Sequence, residues 1–447
     1  MNFTPLLASS LALLGFSNVL AADPSPDTRP TKAVYLRIAD EVTANLQSQI
    51  LDKFFPATVD EKGGGFFENY RLDWTRGAGD NKSIVYQSRL TWTSAQAARF
   101  FPAKADLYLA ITRQGAACLA DRLWDKQGGG FFWTVDSAGQ PTSNVKQTYG
   151  HAFGIYALSA SYQATKDSAT LDLARKAFQW LEEHAHDQVN GGYFEIIGSG
   201  GKPSYAGNSE VGGRANQKSM NTSIHLLEAF TGLYQVWPDP LVRARIQEML
   251  QICRDKIYAE PGYLTQYLTA DWQRTSGPDS FGHDVEAGFL LVEAAEVLGQ
   301  GNDPRIWTAA RHLVDHAMQY GWDHERGGLY DAGTMNVDGI VTSGLRTEKI
   351  WWVEAEHLNA LLLQHEHVGR ETTMYWDAFV RQWDWISRFQ IDHTHGGWWP
   401  TVRADGTPAS RVKADSWIEC YHQGRAMLNV SERLRKLAAE GACRTCQ

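Results

Sequence analysis

Three histidines of this 447-residue chain have neighbours that could support acid–base chemistry: His225, His283 and His422. Asn221 precedes His225 by four residues, which places both side chains on one face of a helix. Glu286 follows His283 by three residues, so its carboxylate could orient the imidazole or hold a ligand hydroxyl. Because neutral imidazole accepts a proton and imidazolium donates one near neutral pH, imidazoles facing one cavity would suit proton transfer.

A zinc site is an alternative interpretation, since three histidines with nearby carboxylates can bind the metal. The three histidines belong to separate predicted helices, however, and no two of them have the short spacing of ligands on a single helix. We therefore expect no metal at this site. The chain also lacks a Gly-x-Gly-x-x-Gly turn from strand to helix, so no nicotinamide cofactor is expected.

Glycoside cleavage is a second alternative, but it requires two carboxylates that flank the scissile bond. Glu354 and Glu356 are two residues apart, so their side chains point to different faces of a helix. The histidine-rich pattern therefore favours proton transfer over hydrolysis.

Six acidic-to-glycine turns divide the chain at nearly even intervals. Most of them open a short aromatic strand, and they start at Asp60, Asp125, Asp187, Glu260 (a degenerate copy), Asp323 and Asp392. The residues that follow the glycines are separated by 65, 62, 70, 66 and 69 positions. Such a period indicates an internal structural repeat.

One repeat of this length holds two ordinary helices and a short hairpin. Apolar spacing predicts helices at 280–298 and 348–365, and alternation predicts hairpins at 130–139 and 397–406. Six helix pairs could stack as an open solenoid or close into a ring. Because the sixth repeat is as fully formed as the second, we predict an all-α fold, a closed (α/α)6 barrel with short β-hairpins at one rim, over residues 33–436.

The repeats also align a set of unusual helix residues. Counted from the residue after each glycine turn, they lie 20 to 32 positions on: Arg89, His151, His225, His283, Trp352 and His422. Equivalent positions on equivalent inner helices converge on one cavity, which predicts a pocket rimmed by the aromatic hairpins. Each residue could instead be a satisfied core or surface group, but four histidines in six repeats favour the pocket.

Composition limits the partners of the protein. The net charge of −9 argues against nucleic acid or an anionic membrane surface as a partner. The chain has 17 tryptophans, and tryptophans clustered around a cavity would suit stacking against sugar rings. Apart from the N-terminal segment, no stretch is apolar over enough residues to cross a bilayer.

Residues 1–22 carry no charged side chain and contain an apolar run from Leu6 to Leu20 that is followed by two alanines. This pattern predicts a cleaved secretory signal peptide, and hence a periplasmic or secreted protein. Residues 23–32 are expected to form a disordered leader and residues 437–447 a C-terminal tail. Cys443 and Cys446 in that tail could form a disulfide in an exported protein.

Four motifs resemble the N-acylglucosamine 2-epimerase superfamily and, within it, the cellobiose (mannobiose) 2-epimerases. They are Lys218-Ser-Met-Asn-Thr-Ser-Ile-His225-Leu-Leu-Glu-Ala, Gly282-His-Asp-Val-Glu286-Ala, Lys349-Ile-Trp-Trp-Val-Glu-Ala-Glu356, and Trp417 with Tyr421-His422. The resemblance spans essentially the whole mature chain. It implies an (α/α)6 barrel without metal or organic cofactor, in which a reducing-end glucose opens, loses its C2 proton and regains one on the opposite face to give mannose.

The resemblance also implies roles for individual side chains. His283 and His422 match the acid/base pair at C2, and His225 matches the residue that assists ring opening or the enediolate. The substrate-binding residues that it implies are Arg89, Tyr149 and Asn221 near O1 and adjacent hydroxyls, Glu286 and Trp352 on the reacting sugar, Trp417 stacked on the second sugar, and Glu348.

One residue departs from the usual pattern of this family. The disaccharide enzymes usually have histidine where this chain has Ser223, which leaves another glucoside or free mannose open as the substrate. The leading prediction is a 2-epimerase of β-1,4-linked disaccharides that is a monomer or weak dimer. The alternatives are an aldose–ketose isomerase of the mannose isomerase type, an (α/α)6 glycoside hydrolase or lyase, and a sugar-binding barrel without activity.

Overall fold

Helices account for most of the described residues, and they come in pairs separated by the glycine turns. The computed structural model describes residues 28–143, 145–275, 277–335 and 341–444. The helices are α1 (Lys32–Asn45), α2 (Asp52–Thr58), α3 (Ile84–Phe100), α4 (Ala105–Cys118), α5 (Thr148–Thr165), α6 (Ser168–His184), α7 (Met220–Val236), α8 (Pro240–Ile252), α9 (Phe281–Val297), α10 (Pro304–Tyr320), α11 (Trp351–Val368), α12 (Met374–Trp385) and α13 (Tyr421–Arg444).

Six of these helices form a closed inner ring. α3, α5, α7, α9, α11 and α13 each contact the next in that order, and α13 contacts α3 to complete the circle. Six others form an outer layer, in which α1 packs on α13 and α4, α6, α8, α10 and α12 pack on the inner helix of their own repeat. The predicted (α/α)6 barrel is confirmed.

The sequence explains which helices lie inside. The outer helix α10 buries one apolar face, which includes Ala310, Leu313 and Val314, and such a stripe needs only one partner layer. The inner helix α9 is apolar around most of its circumference and is buried along nearly its whole length, as a helix with neighbours on all sides must be. The helices predicted at 280–298 and 348–365 correspond to α9 and α11.

Short strands collect at the end of the ring where the inner helices begin. They are β1 (Tyr70–Arg71), β2 (Lys82–Ser83), β3 (Thr134–Val135), β4 (Lys146–Gln147), β5 (Ile196–Ile197), β6 (Gln217–Ser219), β7 (Tyr258–Ala259), β8 (Tyr263–Leu264), β9 (Tyr267–Thr269), β10 (Pro278–Ser280), β11 (Ala332–Met335), β12 (Val341–Arg346), β13 (Lys349–Ile350), β14 (Thr401–Val402) and β15 (Val412–Ala414). The strands pair antiparallel as β1–β15, β2–β3, β4–β5, β6–β9, β7–β8, β13–β14 and β10–β11–β12.

These pairings connect neighbouring repeats. The predicted turn at 130–139 is present, since Val135 bridges to Pro141 across it. The same strand, β3, also pairs with β2 of the preceding repeat, and β1 pairs with β15, so the first and last repeats are joined. The hairpins therefore help to close the ring, a long-range role that alternation of side chains along one strand does not reveal.

An ion pair anchors five of the six glycine turns, and in four of them the aspartate is buried. The turn aspartate lies 2.6 to 2.9 Å from a lysine ammonium in the pairs Asp60–Lys82, Asp125–Lys146, Asp187–Lys218, Asp323–Lys349 and Asp392–Lys413. In the first turn, Gly64 and Gly65 have φ of 75° and 70°, a left-handed conformation that favours glycine. The fourth turn differs, because Glu260 replaces the aspartate and is exposed.

The C-terminal tail predicted at 437–447 is partly wrong, because α13 continues to Arg444. Leu434 and Ala438 are buried on the side of α13 that contacts α1, and this apolar face extends the helix. The predicted signal peptide at 1–22 and residues 23–27 of the leader lie outside the described residues, as do the side chains of Cys443 and Cys446. The rest of the predicted leader is held in place, since the Thr28 carbonyl accepts the Trp376 Nε1–H at 2.6 Å, Thr31 caps α1 and Lys32 is the first residue of that helix. Among the described helices, none is both long and apolar enough to cross a membrane.

Candidate active site

A cavity of about 170 Å³ opens where the inner helices begin. Its lining consists of Arg89, Tyr149, Asn221, His225, His283, Glu286, Trp351, Trp352, Trp417 and His422. Nine of the ten predicted site residues are therefore brought together, and the structure adds Trp351. Glu348 is not among them, since it is exposed in the loop between β12 and β13.

The site consists of two layers of side chains. The second or third residue of five inner helices supplies the upper layer: Tyr149, Asn221, His283, Trp352 and His422. The sixth residue of four helices supplies the lower layer: Arg89, His225, Glu286 and Glu356. Because the two positions are about one turn apart, they share a helix face that points to the barrel axis.

His151 does not belong to the pocket, so its alignment with the other histidines was wrong. It is the fourth residue of α5, a position that turns away from the axis. The Phe131 N–H donates to its Nε2 at 2.8 Å, and its Nδ1 donates to the Gln147 carbonyl at 2.8 Å. Gln87, the fourth residue of α3, accepts the corresponding Phe66 N–H at 2.8 Å. His151 therefore holds a glycine turn.

Ser223 occupies the same fourth position on α7. It is buried, donates to the Ser219 carbonyl at 2.8 Å and does not line the cavity. The expectation that this residue affects substrate preference is therefore not supported by its location, which corresponds to a turn-binding position rather than to a sugar-binding one.

Each of the three pocket imidazoles has a polar partner on Nδ1. His422 contacts Glu356 Oε1 at 2.9 Å, His225 contacts Glu228 Oε2 at 2.9 Å, and the His283 ring contacts the Ser280 hydroxyl at 2.7 Å. A partner on Nδ1 fixes the orientation of the ring and leaves Nε2 for chemistry.

Arg425 joins the carboxylates behind these imidazoles. It is 2% exposed, its Nη2 donates to Glu356 Oε1 at 2.7 Å and also to Glu286, and its Nη1 donates to Glu228. Burial alone would raise the pKa of Glu228, but Arg425, His225 and Tyr421 together lower it to about 2. One guanidinium therefore keeps the carboxylate behind His225 charged, and it opposes the burial that raises the pKa of Glu356 behind His422.

The sequence analysis missed Glu228 and Arg425 as site residues, and it set Glu356 aside. A usable signal was present, since Glu228 follows His225 by three residues and Arg425 follows His422 by three. The prediction that Glu354 and Glu356 face different directions is confirmed, because Glu354 accepts the Leu329 N–H of a glycine turn while Glu356 faces His422.

Arg89 is held rigidly beside the cavity. Its Nη1 donates to Glu419 Oε1 at 3.0 Å and its Nη2 donates to the Tyr149 hydroxyl at 3.1 Å. The guanidinium carbon also lies 4.3 Å from the centre of the Phe153 ring. Arg89 is thus a fixed cation with a hydroxyl donor next to it, which suits stabilisation of a developing oxyanion.

Burial keeps the imidazoles of His283 and His422 neutral. It lowers the pKa of His283 to about 4, although Glu286 opposes the shift. Burial also lowers the pKa of His422 well below its usual value; Glu286 opposes this shift, and Arg89 and Arg425 add to it. Both rings can therefore accept a proton at neutral pH.

If His283 is the base, kcat/KM should not fall through the usual imidazole range as the pH is lowered from 7, and its acid limb should be centred near pH 4. His283 accepts a proton only while it is neutral, and its pKa of about 4 keeps it neutral far below the usual 6.5. Initial rates across this range would measure the profile, with circular dichroism at each pH to confirm folding. An acid limb centred near pH 6.5 would contradict a catalytic imidazole whose pKa is lowered by burial.

Glu286, Glu356 and His422 are close enough together to act as metal ligands. Arg425, however, already donates to both carboxylates and supplies a positive charge at this point. Glu286 and Glu356 therefore form an ion-pair network around the guanidinium of Arg425.

Comparison with known proteins agrees with this geometry. The family model for N-acylglucosamine 2-epimerase matches residues 65–426. The chain belongs to the N-acylglucosamine 2-epimerase family. Within it, a cellobiose 2-epimerase of Bacteroides fragilis is 27% identical over 396 residues, which cover 88% of this chain and 98% of that protein.

Solved structures of this family share the barrel. The cellobiose 2-epimerase of Spirochaeta thermophila superposes with a TM-score of 0.81 at 30% identity, covering 93% of this chain and all of that one. A D-mannose isomerase superposes with a TM-score of 0.75 at 22% identity, covering 92% of this chain and all of that one. The similarity to the D-mannose isomerase concerns the fold alone.

Proposed function

We propose that this protein is a carbohydrate 2-epimerase that interconverts reducing-end glucose and mannose residues of β-1,4-linked disaccharides such as cellobiose and mannobiose. The observation that carries the proposal is the placement of His283 and His422. They begin two different inner helices, and both rings lie against Trp352, with ring centres 4.7 and 5.4 Å from it. Two bases around one cavity can reach both faces of a C2 carbon.

The reaction begins with ring opening, for which His225 is the acid–base group and Glu228 its partner at 2.9 Å. Nε2 of one C2 imidazole then removes the C2 proton, and the electron pair of the C–H bond moves to the C1 carbonyl to form an enediolate. Arg89 and Tyr149 stabilise the negative charge on oxygen.

The other imidazole delivers a proton to the opposite face of C2. Donation requires the imidazolium form, and Glu286, whose Oε1 lies 3.7 Å from His422 Nδ1, favours that form against the burial that lowers the pKa of His422. A single base would instead return the proton to C1 and produce a ketose. Two opposed bases favour epimerisation.

The mouth of the cavity suits a second sugar. Trp417 is 38% exposed, and its ring centre lies 6.0 Å from Trp133 and 6.2 Å from Tyr149. These aromatic faces form a wall beside the entrance, where a sugar linked to the reacting residue would protrude. Together with the cellobiose 2-epimerases among the relatives, this wall supports a disaccharide substrate.

Product analysis tests the proposed function. The protein should convert cellobiose to its 2-epimer without forming a ketose, and in D2O the product should carry deuterium at C2. Chromatography of reactions with cellobiose, mannobiose and mannose would measure this. A ketose product would favour the mannose isomerase type, a shortened product would favour a hydrolase, and an unchanged substrate panel would favour a binding protein.

Trp417→Ala should raise the Michaelis constant for disaccharides about three- to tenfold and change that for mannose little, because ring stacking contributes roughly 0.5 to 1.5 kcal/mol beyond burial. Trp307→Ala is the matched control, since Trp307 is part-buried on the outer helix α10 and stacks on His367. Steady-state kinetics on both substrates would measure the difference. Equal losses on disaccharide and mannose would place Trp417 beside the reacting sugar.

Export to the periplasm or the medium is also part of the proposal. It is supported by the uncharged residues 1–22 and their apolar run from Leu6 to Leu20. Sequencing the N-terminus of the mature protein should find a start near Asp23 in the exported fraction. A cytoplasmic protein that retains residues 1–22 would overturn this part alone.

We expect a monomer or weak dimer in solution. The most exposed large apolar side chains among the described residues, Val189, Tyr205 and Leu107, come from different segments, and scattered apolar residues are normal on a monomer surface. Light scattering across a concentration series would measure the mass. A stable larger assembly would contradict the expectation.

A further inference from the structure

The fourth repeat replaces the lysine of the other repeats with an acid. In four repeats the turn-binding lysine stands two residues before the first residue of the inner helix: Lys82, Lys146, Lys218 and Lys349. Asp279 holds this place before α9. A buried carboxylate therefore stands where the other repeats carry a buried ammonium group.

Asp279 lies in a buried cluster with Asp284 and His316. Asp279 and Asp284 are 0% exposed and His316 is 3% exposed. His316 Nδ1 lies 3.6 Å from Asp279 Oδ2 and 3.9 Å from Asp284 Oδ2. Three different elements, β10, α9 and α10, thus direct donor atoms to one point.

The carboxylate oxygens of this cluster are not satisfied by the protein. Asp284 Oδ1 accepts the Leu264 N–H at 2.9 Å. Asp284 Oδ2 and both oxygens of Asp279 have no hydrogen-bond partner within the described residues. Because buried polar oxygens almost always have a partner, the side chain of Asp279 indicates a missing one.

The charge of the cluster leads to the same conclusion. Asp279 and Asp284 are two fully buried carboxyl groups that lie beside a single imidazole, that of His316. No lysine or arginine forms an ion pair with either carboxylate among the described residues. The similar group Glu286, Glu356 and His422 has Arg425 for this purpose. Protons or a metal ion must compensate the charge here.

We propose that Asp279, Asp284 and His316 bind a divalent cation of the zinc type that takes the place of the lysine of the other repeats. One imidazole and two carboxylates are ligands that zinc accepts. Bonds of about 2.1 Å in a tetrahedral site separate neighbouring donors by about 3.4 Å, which is close to the distances from His316 Nδ1 to the two aspartates.

The role of this ion is structural. None of its three ligands lines the catalytic cavity. Asp284 and Asp279 flank the start of α9, which carries His283. The ion therefore fixes the first turn of that helix to α10. The histidine spacing that disfavoured zinc in the pocket does not apply to this group, because its donors come from a strand and two helices.

Metal analysis of the full-length protein tests the proposal. After treatment with a chelator and titration with Zn²⁺ alone, the wild type should bind about one equivalent tightly and its Tm should rise by at least about 2 °C. Asp279→Asn keeps the shape of the side chain but removes a charged ligand, so it should lose both effects. Glu260→Gln removes an exposed carboxylate of the same repeat and should retain both.

The outcomes separate this site from the catalytic one. Wild-type protein that binds less than about a tenth of an equivalent and shows no shift in Tm would overturn the metal site in favour of bound protons. The proposed site would also be overturned if Asp279→Asn bound as much Zn²⁺ as the wild type. It would likewise be overturned if Mn²⁺ raised the Tm of the wild type and Zn²⁺ did not. If Asp279→Asn does not fold, His316→Gln provides the same comparison. The kcat of folded, chelated protein should be unchanged, so epimerase activity and metal binding are measured independently.

Discussion

Replacing His283 or His422 by alanine is expected to lower kcat on the disaccharide at least ~100-fold, the low end of what a positioned acid or base contributes. Each ring supplies one of the two proton transfers at C2, and no other described imidazole in the cavity can take over at the same face, because His225 lies one turn deeper. Steady-state kinetics with cellobiose would measure the loss.

His151→Gln is the matched control for these two variants. His151 is also a buried histidine in the first turns of an inner helix, but it binds the Phe131 N–H, and Gln87 performs the same function in the first repeat. Activity should therefore remain near that of wild type. If His283→Ala or His422→Ala kept more than about a tenth of wild-type activity while folded, that residue would be removed from the mechanism.

Exchange of the substrate C2 proton with solvent in the alanine variants tests whether the two imidazoles act on opposite faces of C2. A variant that lacks one imidazole can still remove a proton from the substrate epimer that presents C2–H to the remaining one. Slow exchange of the C2 proton with D2O should therefore persist for one epimer and disappear for the other. Loss of exchange from both epimers in a folded variant would show that the imidazoles do not act on opposite faces.

Arg425→Met is expected to destabilise the fold by about 3 to 5 kcal/mol and to abolish measurable turnover, because it leaves buried carboxylates without their cation. Arg425 donates to Glu228, Glu286 and Glu356, which come from three different inner helices. Urea unfolding followed by circular dichroism would measure the loss. Arg435→Met is the control. Arg435 lies on the same helix as Arg425 but forms an exposed pair with Asp40 of α1, and such pairs contribute little.

The stability deficit of Arg425→Met should depend on pH in a defined direction. Without the guanidinium, burial raises the folded-state pKa of these carboxyls above the unfolded value of about 4.3. A group with a raised pKa binds its proton more tightly in the folded state, so its stabilising contribution is present at low pH and is lost as pH rises through the folded pKa. The deficit relative to wild type should thus be smaller at pH 5 than at pH 8. A deficit that grows on acidification would contradict the role assigned to Arg425.

Much of the fold and the upper layer of the site could be predicted from the sequence. The repeated glycine turns and the helical spacing of apolar residues are local patterns, so they specify the helix pairs without knowledge of the rest of the molecule. Six such pairs indicated the barrel. The residues at the starts of the inner helices could also be found, because barrel symmetry places equivalent positions around one axis.

Counting from the turns could not assign every residue correctly. The loop that leads from each glycine turn to its inner helix varies in length. From the residue after the glycines to the first residue of the helix, the separation is 17 residues for α5 and 27 for α7. His151 therefore had the same count as His283 although it is the fourth residue of its helix and His283 the third. A difference of one residue rotates a side chain by about 100°, which is enough to move it from the cavity to a turn.

Charge pairing across the barrel was decided only by the tertiary structure. Arg425 and Glu228 are separated by 197 residues, and no local pattern states which carboxylate will face which guanidinium. That choice depends on how each inner helix is rotated about its axis and how it packs on its neighbours. The sequence by itself thus determined the repeat, the barrel and the histidines that begin its helices. The tertiary structure decided which carboxylates support those histidines, because charges interact through distances in space and not along the chain.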